Sequence, residues 1–428
     1  MSRGLGDVYK RQVKVRLLGE IKNGKFIGGV LRKPSLNARI RALEVNEFTL
    51  IVGEEKLGAL ELGVSPFYAG KKIYADMNEL FSNHMCIFGN TGSGKSCGVA
   101  RVIQNIFTNP NFVPYRSNFL IFDSSGEYYT AFENLNQINP NYHYRFLTTN
   151  VNSVHHGEIL KIPLWLLNIE DIALLLSATT HTQISIIEKM MKLVRIFSQS
   201  DALAIRYKNH LIASAIMTIM YSNQGSASKR DEIFSIFNTC STNEFNLNAV
   251  VQGIGYTRKL HECFLIDSTD QFSERVLLTE YVNKFIDPEL NKFEPDKQHF
   301  FTLPDLEKAL NFTLISEGWL RNENVYADAI TLKVKLHDLV IGSNAKFFDY
   351  KEFVRLDQFL GSLIVQDNKK FQIVNINLED VDDAFAKSIV KIFARLLMEF
   401  SKKIERGSMP FNILLEEALS LIHISEPT

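Results

Sequence analysis

The stretch Gly89–Ser96, which reads GNTGSGKS, has the residue types and the spacing needed to bind phosphate groups. It fits the pattern G-x-x-x-x-G-K-S, follows a short apolar run at Met85–Phe88, and precedes apolar residues at helical spacing. The glycines of such a loop let successive backbone N–H groups turn toward an anion, and the N-terminus of the following helix adds partial positive charge. We therefore predict a strand, a phosphate loop and a helix in this order.

Each kind of residue in this loop has an expected role. Lys95 would neutralise phosphate oxygens, and the Ser96 hydroxyl would be a ligand of Mg²⁺, so ATP and Mg²⁺ are the expected cofactors. The residues expected to bind the nucleotide are Gly89, Asn90, Thr91, Gly92, Ser93, Gly94, Lys95, Ser96 and Cys97. Cys86 and Cys97 flank the loop; redox control is one interpretation, but small buried cysteines are more usual.

Two further apolar runs end in acidic residues. NFLIFDSSGEYY predicts a buried strand that ends at Asp123 and is followed by a glycine turn and Glu127, and PFNILLEEA predicts a strand that ends at Glu416 and Glu417. Adjacent strand residues point to opposite faces, so Glu416 and Glu417 are expected to have different roles, one in the metal shell and one polarising the attacking water. Spacing alone does not decide which strand carries the metal-binding acid. The other interpretation of Glu416 and Glu417 is an exposed helix start.

Composition limits the classes of protein. The chain has 428 residues, 46% hydrophobic and 22% charged, with a formal net charge of −1, so it can form two or three domains and any basic surface must be local. The four cysteines have no paired spacing, which argues against a disulfide framework or a zinc site and favours the cytoplasm. The most apolar stretch, IPLWLLNIEDIALLLSA, has charges in its middle, so we expect no membrane partner.

Four segments together resemble the HerA-like DNA translocase ATPases and their FtsK-like relatives: NHMCIFGNTGSGKS, IFDSSGEY, IPLWLLN with Trp165, and LLEEA. The resemblance implies an α/β P-loop NTPase with a RecA-like core, an N-terminal small β-barrel of the type found in rotary ATP synthases, and a helical insertion. It implies that Glu417 positions water, that Glu416 supports the metal, and that Asp123 and Glu127 form a second acidic shell. It also implies a homo-hexameric ring that threads double-stranded DNA with a nuclease or another effector as partner.

Local patterns agree with this organisation. Residues 13–70 alternate apolar and polar residues between turns, as in FTLIVGEE, and are expected to form the barrel. Residues 71–418 are expected to form the ATPase core, with a mostly helical insertion at about 162–342. Either Asn168 or the neighbouring acids could cap the first helix of this insertion. Arg395 could reach a phosphate or a neighbouring subunit, although a solvated basic face is more usual. His155 with His156, and the HEC sequence at 261–263, lack further ligands and are interpreted as structural.

Both ends of the chain resemble a translated sequencing adapter. Leu419–Ser425 reads as CTG TCT CTT ATA CAC ATC T, and the reverse complement of that DNA encodes Asp7–Gln12 in another frame. We therefore interpret residues 1–12 and 419–428 as adapter sequence. HerA-like proteins usually continue EEAH, whereas this chain has Leu419 at the position of the histidine. The full-length protein is expected to be longer at both ends, and the 428-residue chain is expected to be inactive.

Three functions are compatible with these features. The first is an ATP-driven DNA translocase or helicase-type motor, as in DNA repair or phage defence. The second is a conjugation or secretion ATPase that moves protein or single-stranded DNA across an envelope. The third is a signalling NTPase that hydrolyses slowly, which leaves the two acidic strands unexplained. The predicted barrel favours the first.

Overall fold

The computed structural model describes residues 15–30, 32–68, 70–110, 112–152, 157–292, 299–318, 323–405 and 409–418. Both adapter-like ends and the pair His155 and His156 lie outside these residues. Two compact units are present, and the chain passes between them at Tyr115, at Tyr129 and at Asn139. The first unit holds the phosphate loop and the second holds Asp123, Glu127, Glu416 and Glu417.

The strands of the described residues are short, and the longest, β11, has nine residues. They are β1 (Gly19–Lys22), β2 (Lys25–Gly28), β3 (Ala59–Val64), β4 (Lys72–Asp76), β5 (Phe119–Asp123), β6 (His143–Thr148), β7 (Glu158–Ile159), β8 (Val250–Gln252), β9 (Thr257–Lys259), β10 (Val365–Gln366), β11 (Lys369–Asn377) and β12 (Asn412–Leu415).

The helices are concentrated between β7 and β10. They are α1 (Val45–Val52), α2 (Met77–Phe81), α3 (Lys95–Thr108), α4 (Tyr129–Phe132), α5 (Leu135–Ile138), α6 (Ile169–Leu175), α7 (His181–Phe197), α8 (Ala202–Met220), α9 (Ser226–Thr239), α10 (Arg275–Asn283), α11 (Leu303–Ser316), α12 (Glu323–Ile341), α13 (Leu356–Ile364) and α14 (Asp383–Ser401). Short 3₁₀ helices occur at Leu164–Leu166, Leu260–Phe264, Pro288–Lys292 and Ser343–Phe348.

The expected N-terminal barrel is not confirmed. Strands β1 and β2 form one antiparallel pair and β3 and β4 form another, and each pair is a separate two-stranded sheet. The first pair is joined by Asn23 and Gly24, both with positive φ (51° and 72°), as a tight hairpin turn requires. The local hairpin signal was therefore correct, but it does not determine whether hairpins join into a barrel.

The strand expected for FTLIVGEE is instead the helix α1. The side chain of Glu47 accepts a hydrogen bond from the backbone N–H of Glu44 at 2.9 Å, which caps the first turn of the helix. The guanidinium of Arg41 donates two further hydrogen bonds to Glu47, at 2.7 and 2.6 Å, and lowers the pKa of Glu47 to about 2. These contacts favour a helix over the strand that the alternation predicted.

The second unit is built on a mixed α/β arrangement around a parallel sheet. Its strand order is β12-β5-β11-β6-β7, all neighbouring pairs are parallel, and β10 adds an antiparallel hairpin to β11. All five residues of β5 are buried, as expected for a central parallel strand covered on both faces. The parallel order places the carboxyl ends of β12, β5 and β11 at one edge.

Helices from the rest of the unit bury this sheet. Phe393 of α14 contacts Phe122 of β5 edge-on at 5.8 Å between ring centroids, and Phe359 of α13 lies 6.0 Å from Phe393. Helices α8–α10 form a second apolar core around Phe237, Phe245 and other buried residues. The predicted helices between 162 and 342 are confirmed, and Asn168 caps α6 as predicted, accepting the N–H of Asp171 at 2.8 Å. Whether this segment is an insertion into the core stays a prediction.

Candidate nucleotide and acidic sites

The loop Gly89–Gly94 bends back on itself before α3 begins at Lys95. Gly92 and Gly94 have φ of 78° and 85°, a region that side chains rarely adopt, and the N–H of Ser93 donates to the carbonyl of Asn90 at 3.1 Å. A Cβ added to Gly89 would lie 2.4 Å from the Ser93 hydroxyl and 3.1 Å from Cγ of Lys95. The glycines are therefore required by the backbone path, and this path suits an anion-binding nest.

Lys95 and Ser96 occupy the first turn of α3, at the end of the helix that carries partial positive charge. Both residues are half-buried, and Nζ of Lys95 donates to the carbonyl of Asn90 at 3.4 Å. This contact holds the ammonium group over the loop. The residues of the loop fit a nucleoside triphosphate, because the loop supplies backbone N–H donors and Lys95 supplies a cation.

The strand predicted at Met85–Phe88 is not formed. Residues 84–90 lie outside any sheet, and within the described part of the chain no strand pairs with them. Phe88 is 82% exposed. An apolar run forms a strand only where a neighbour satisfies its N–H and C=O groups, and the described residues supply no such neighbour.

The two cysteines beside the loop are exposed, so the prediction that they are small buried residues is wrong. Cys86 belongs to the unpaired segment before the loop. Cys97 lies in the first turn of α3, whose buried residues begin at Ala100.

Asp123, at the end of β5, is fully buried and binds the turn that follows it. Its Oδ1 accepts the N–H of Glu127 at 3.1 Å, and its Oδ2 accepts the N–H of Tyr128 at 3.0 Å. Gly126 has a φ of 71°, and a Cβ there would lie 2.4 Å from Oε2 of Glu379. The carboxylate of Asp123 therefore shapes the turn 124–128, and the glycine allows the turn to close.

Glu416 lies beside the same turn. The N–H of Ser125 donates to Oε2 of Glu416 at 3.3 Å, and the hydroxyl of Ser124 donates to the carbonyl of Glu416 at 3.2 Å. The structure thus brings Asp123, Glu127 and Glu416 together at one edge of the sheet.

Glu417 is exposed and has a φ of 48°, a conformation uncommon for a residue other than glycine. Strand β12 ends at Leu415, so both glutamates follow the strand rather than alternate along it. The strand alternation that we expected to separate the two side chains therefore does not apply to Glu416 and Glu417. Residues 416 and 417 form a turn and Ala418 is helical, so the alternative of a helix start beside the two glutamates stays open.

Strand β11 contributes polar residues that sequence reasoning missed. Asn375 is fully buried, and its Nδ2 donates to Oδ2 of Asp123 at 3.2 Å and to the hydroxyl of Tyr144 at 3.0 Å. Asn377 accepts the N–H of Glu379 at 2.8 Å. The available signal was the two asparagines in FQIVNINLED, since polar residues in an otherwise apolar buried strand need specific partners.

A magnesium site made by protein ligands alone is not present, since the described residues contain no group of three or more His, Cys, Asp or Glu suited to a metal. Mg²⁺ usually takes one or two protein oxygens together with substrate phosphates and water. The hydroxyl of Ser96 and the carboxylate of Glu416 are donors of that kind. His261 forms a hydrogen bond with the carbonyl of Leu247 and Glu262 accepts the N–H of Lys259, contacts that agree with the structural role predicted for residues 261–263.

The contacts of Arg395 differ from both interpretations of its sequence context, a side chain that reaches a phosphate or a neighbouring subunit and a solvated basic face. It lies on α14 and forms an ion pair with Asp171 of α6, and it also donates to the carbonyl of Leu166 at 2.8 Å and to Glu399 at 2.7 Å. Its side chain is only 19% exposed. Because these contacts occupy the guanidinium inside the protein, Arg395 is neither part of a solvated basic face nor directed to a phosphate.

No helix in the described parts of the chain is long and apolar enough to cross a membrane.

Comparisons with known proteins place the chain in a family. No protein of curated function matches the sequence. A family model described as helicase HerA, central domain, matches residues 61–397 of the 428, which include the phosphate loop, Asp123 and Asn375 and end before β12. The chain therefore belongs to the HerA central-domain family.

Proposed function

We propose that the protein is an ATP hydrolase that uses Mg²⁺ and works as a DNA translocase or helicase-type motor. The observation that carries this proposal is the glycine loop, whose left-handed Gly92 and Gly94 lead into α3 at Lys95, in a chain of the HerA central-domain family. A phosphate-binding nest followed by a lysine is characteristic of proteins that bind a nucleoside triphosphate.

The proposed roles follow the chemistry of each side chain. The N–H groups of the loop bind the β- and γ-phosphates, and Lys95 neutralises their charge. Ser96 and Glu416 are the proposed ligands of Mg²⁺, which supplies further neutralisation of the phosphate oxygens. Glu417 is proposed to accept the proton of the attacking water, and its exposed carboxylate is accessible for that role. Asp123 and Glu127 belong to a second acidic shell.

The proposed assembly is a homo-hexameric ring in the cytoplasm that threads double-stranded DNA and works with a nuclease or another effector. The family's description as a helicase supports the DNA partner. In a ring of identical subunits, an arginine that stabilises the transition state would come from the neighbouring copy of this chain. Measuring the mass of the full-length protein with ATP and Mg²⁺ tests the hexamer.

The test of the motor is the rate of phosphate release by the full-length protein without DNA, with double-stranded DNA and with single-stranded DNA. We expect double-stranded DNA to raise turnover several-fold, with the Lys95→Ala variant as a background control for contaminating ATPases. Stimulation by single-stranded DNA alone would favour a conjugation-type ATPase. Turnover that is slow and indifferent to every form of DNA would favour a signalling NTPase and contradict the proposal.

A further inference from the structure

The carboxylate of Asp123 accepts its hydrogen bonds from groups of the protein itself. The carboxylate is fully buried and accepts three N–H groups, from Glu127, Tyr128 and the side chain of Asn375, at 3.1, 3.0 and 3.2 Å. Buried carboxylates are stable when several donors surround them, and such a carboxylate is then fixed in place. Asp123 therefore acts on its surroundings chiefly through the turn that it holds.

That turn is in contact with Glu416. Ser125 donates its N–H to Oε2 of Glu416 and Ser124 donates its hydroxyl to the carbonyl of the same residue. Strand β12 also bonds to β5 here, since the N–H of Glu416 donates to the carbonyl of Phe122 at 3.2 Å. The orientation of the Glu416 carboxylate is therefore linked to the shape of the turn 124–128.

Asn375 closes this network from the neighbouring strand. In the register of β11 with β5 it lies opposite Ile121, and its Nδ2 bridges Asp123 and the hydroxyl of Tyr144 on β6. Its Oδ1 is buried and has no hydrogen-bond partner among the described residues. An unsatisfied buried acceptor is destabilising, so stability alone would favour an apolar residue of the same shape at this position.

We infer that Asn375 is a positioning residue that acts through Asp123 and the turn 124–128 to orient Glu416 for metal binding. The inference rests on the proposed function, because it takes Glu416 as a ligand of the metal. Asn375 itself bonds Asp123 and Tyr144 rather than Glu416, so it would act as an outer partner of the acid that shapes the turn. Outer partners of this kind typically change metal affinity by about 10- to 100-fold.

The test compares Asn375→Leu with a matched control in the full-length protein. Leucine keeps the shape and removes both hydrogen bonds together with the orphaned oxygen. The control is Asn118→Leu. Asn118 is buried just before β5 and donates its Nδ2 to the carbonyl of Pro410 at 3.0 Å, and its buried Oδ1 likewise has no hydrogen-bond partner in the part of the chain that the structure describes. It lies at the opposite end of β5 from Asp123. Tyr144→Phe is a milder second variant that leaves the Asn375–Asp123 bond intact.

Two readouts are independent of turnover. Hydrogen exchange of the peptide covering 124–128 in the nucleotide-free protein is expected to accelerate about tenfold in Asn375→Leu, the order expected for losing one hydrogen bond to a charged group. Binding of Mn²⁺ in the presence of a non-hydrolysable ATP analogue, followed by electron paramagnetic resonance, is expected to weaken roughly tenfold. Tyr144→Phe is expected to change both in the same direction by a smaller factor, and Asn118→Leu to change neither.

The outcomes separate the inference from the proposed function. Unchanged exchange at 124–128 would overturn the link between Asn375 and the turn. Faster exchange with unchanged Mn²⁺ affinity would make Asn375 a purely structural residue and would also overturn the inference. A wild-type protein that binds neither the ATP analogue nor Mn²⁺ would refute the proposed function itself, and the positioning role would be rejected with it.

Discussion

The guanidinium of Arg395 on α14 forms an ion pair with the carboxylate of Asp171 on α6, and the two side chains are only 19% and 4% exposed. The same carboxylate accepts the N–H of Asn168 at 2.9 Å, so it also caps the start of α6. The pair therefore joins two helices of the second unit through groups that are largely shielded from water.

Removing one partner of this pair should be strongly destabilising. We expect Asp171→Asn to lower the free energy of unfolding by about 3 kcal/mol, because it leaves the Arg395 charge largely buried and only partly compensated by Glu399. Urea denaturation checks this value. The control is Asp357→Asn, which should have a much smaller effect because solvent screens its ion pair with the exposed Arg355. Equal losses of unfolding free energy in the two variants would contradict the shielding of the Arg395–Asp171 pair from water. An Asp171→Leu, Arg395→Leu double variant should recover much of the stability, because it leaves no unpaired buried charge.

Lys95→Ala should abolish ATP hydrolysis by the full-length protein. No other side chain of the loop carries a positive charge, so the phosphates would be left without a neutralising cation. Phosphate release and the binding of a fluorescent ATP analogue measure the effect. Arg101→Ala is the control, because Arg101 is exposed on the same helix and should not affect turnover. Wild-type turnover in Lys95→Ala would show that the loop does not bind the hydrolysed nucleotide.

Glu417→Gln should leave ATP bound while slowing hydrolysis by at least about a hundredfold, the order expected for losing a general base. The amide has the size of the carboxylate but cannot accept a proton. Single-turnover measurements on the full-length protein separate binding from the chemical step. If Asp123→Asn blocks hydrolysis while the protein stays folded, and Glu417→Gln does not, the roles proposed for the two strand ends must be exchanged.

The four cysteines should differ in their reaction with an alkylating agent. Cys86 and Cys97 are exposed and are expected to react in the native protein at about pH 8, because a reagent in solution can reach both thiols. Burial raises the pKa of Cys240 to about 12 and raises the pKa of Cys263, so both stay protonated and unreactive at that pH. Mass spectrometry of the peptides gives the extent of labelling.

The same labelling experiment tests the phosphate loop. ATP with Mg²⁺ should slow the labelling of Cys97, in the first turn of α3, more than that of a cysteine introduced at exposed Leu203 of α8. Equal rates for Cys97 with and without ATP would argue against nucleotide binding at the loop. Rapid native labelling of Cys240 would contradict the raised pKa of this half-buried thiol.

Much of this protein could be predicted from contiguous sequence. The glycine pattern of Gly89–Ser96 determines the path of the loop, because left-handed residues favour glycine wherever they occur. The apolar runs of β5 and β11 predict buried parallel strands, and the apolar periodicity of α8 and α14 predicts those helices, because burying one face depends on spacing along a single segment.

Only the tertiary structure decided which partners meet. Asp123 and Asn375 are 252 positions apart, and nothing near either residue in the chain encodes the hydrogen bond between them. The same holds for Arg395: its local helix pattern predicted a solvated face, but in the fold it pairs with Asp171 of α6. It holds also for Met85–Phe88, because an apolar run forms a strand only beside a neighbouring strand. Local patterns determine what a segment can form, whereas hydrogen bonds and ion pairs depend on which distant groups the packed fold brings within about 3 Å.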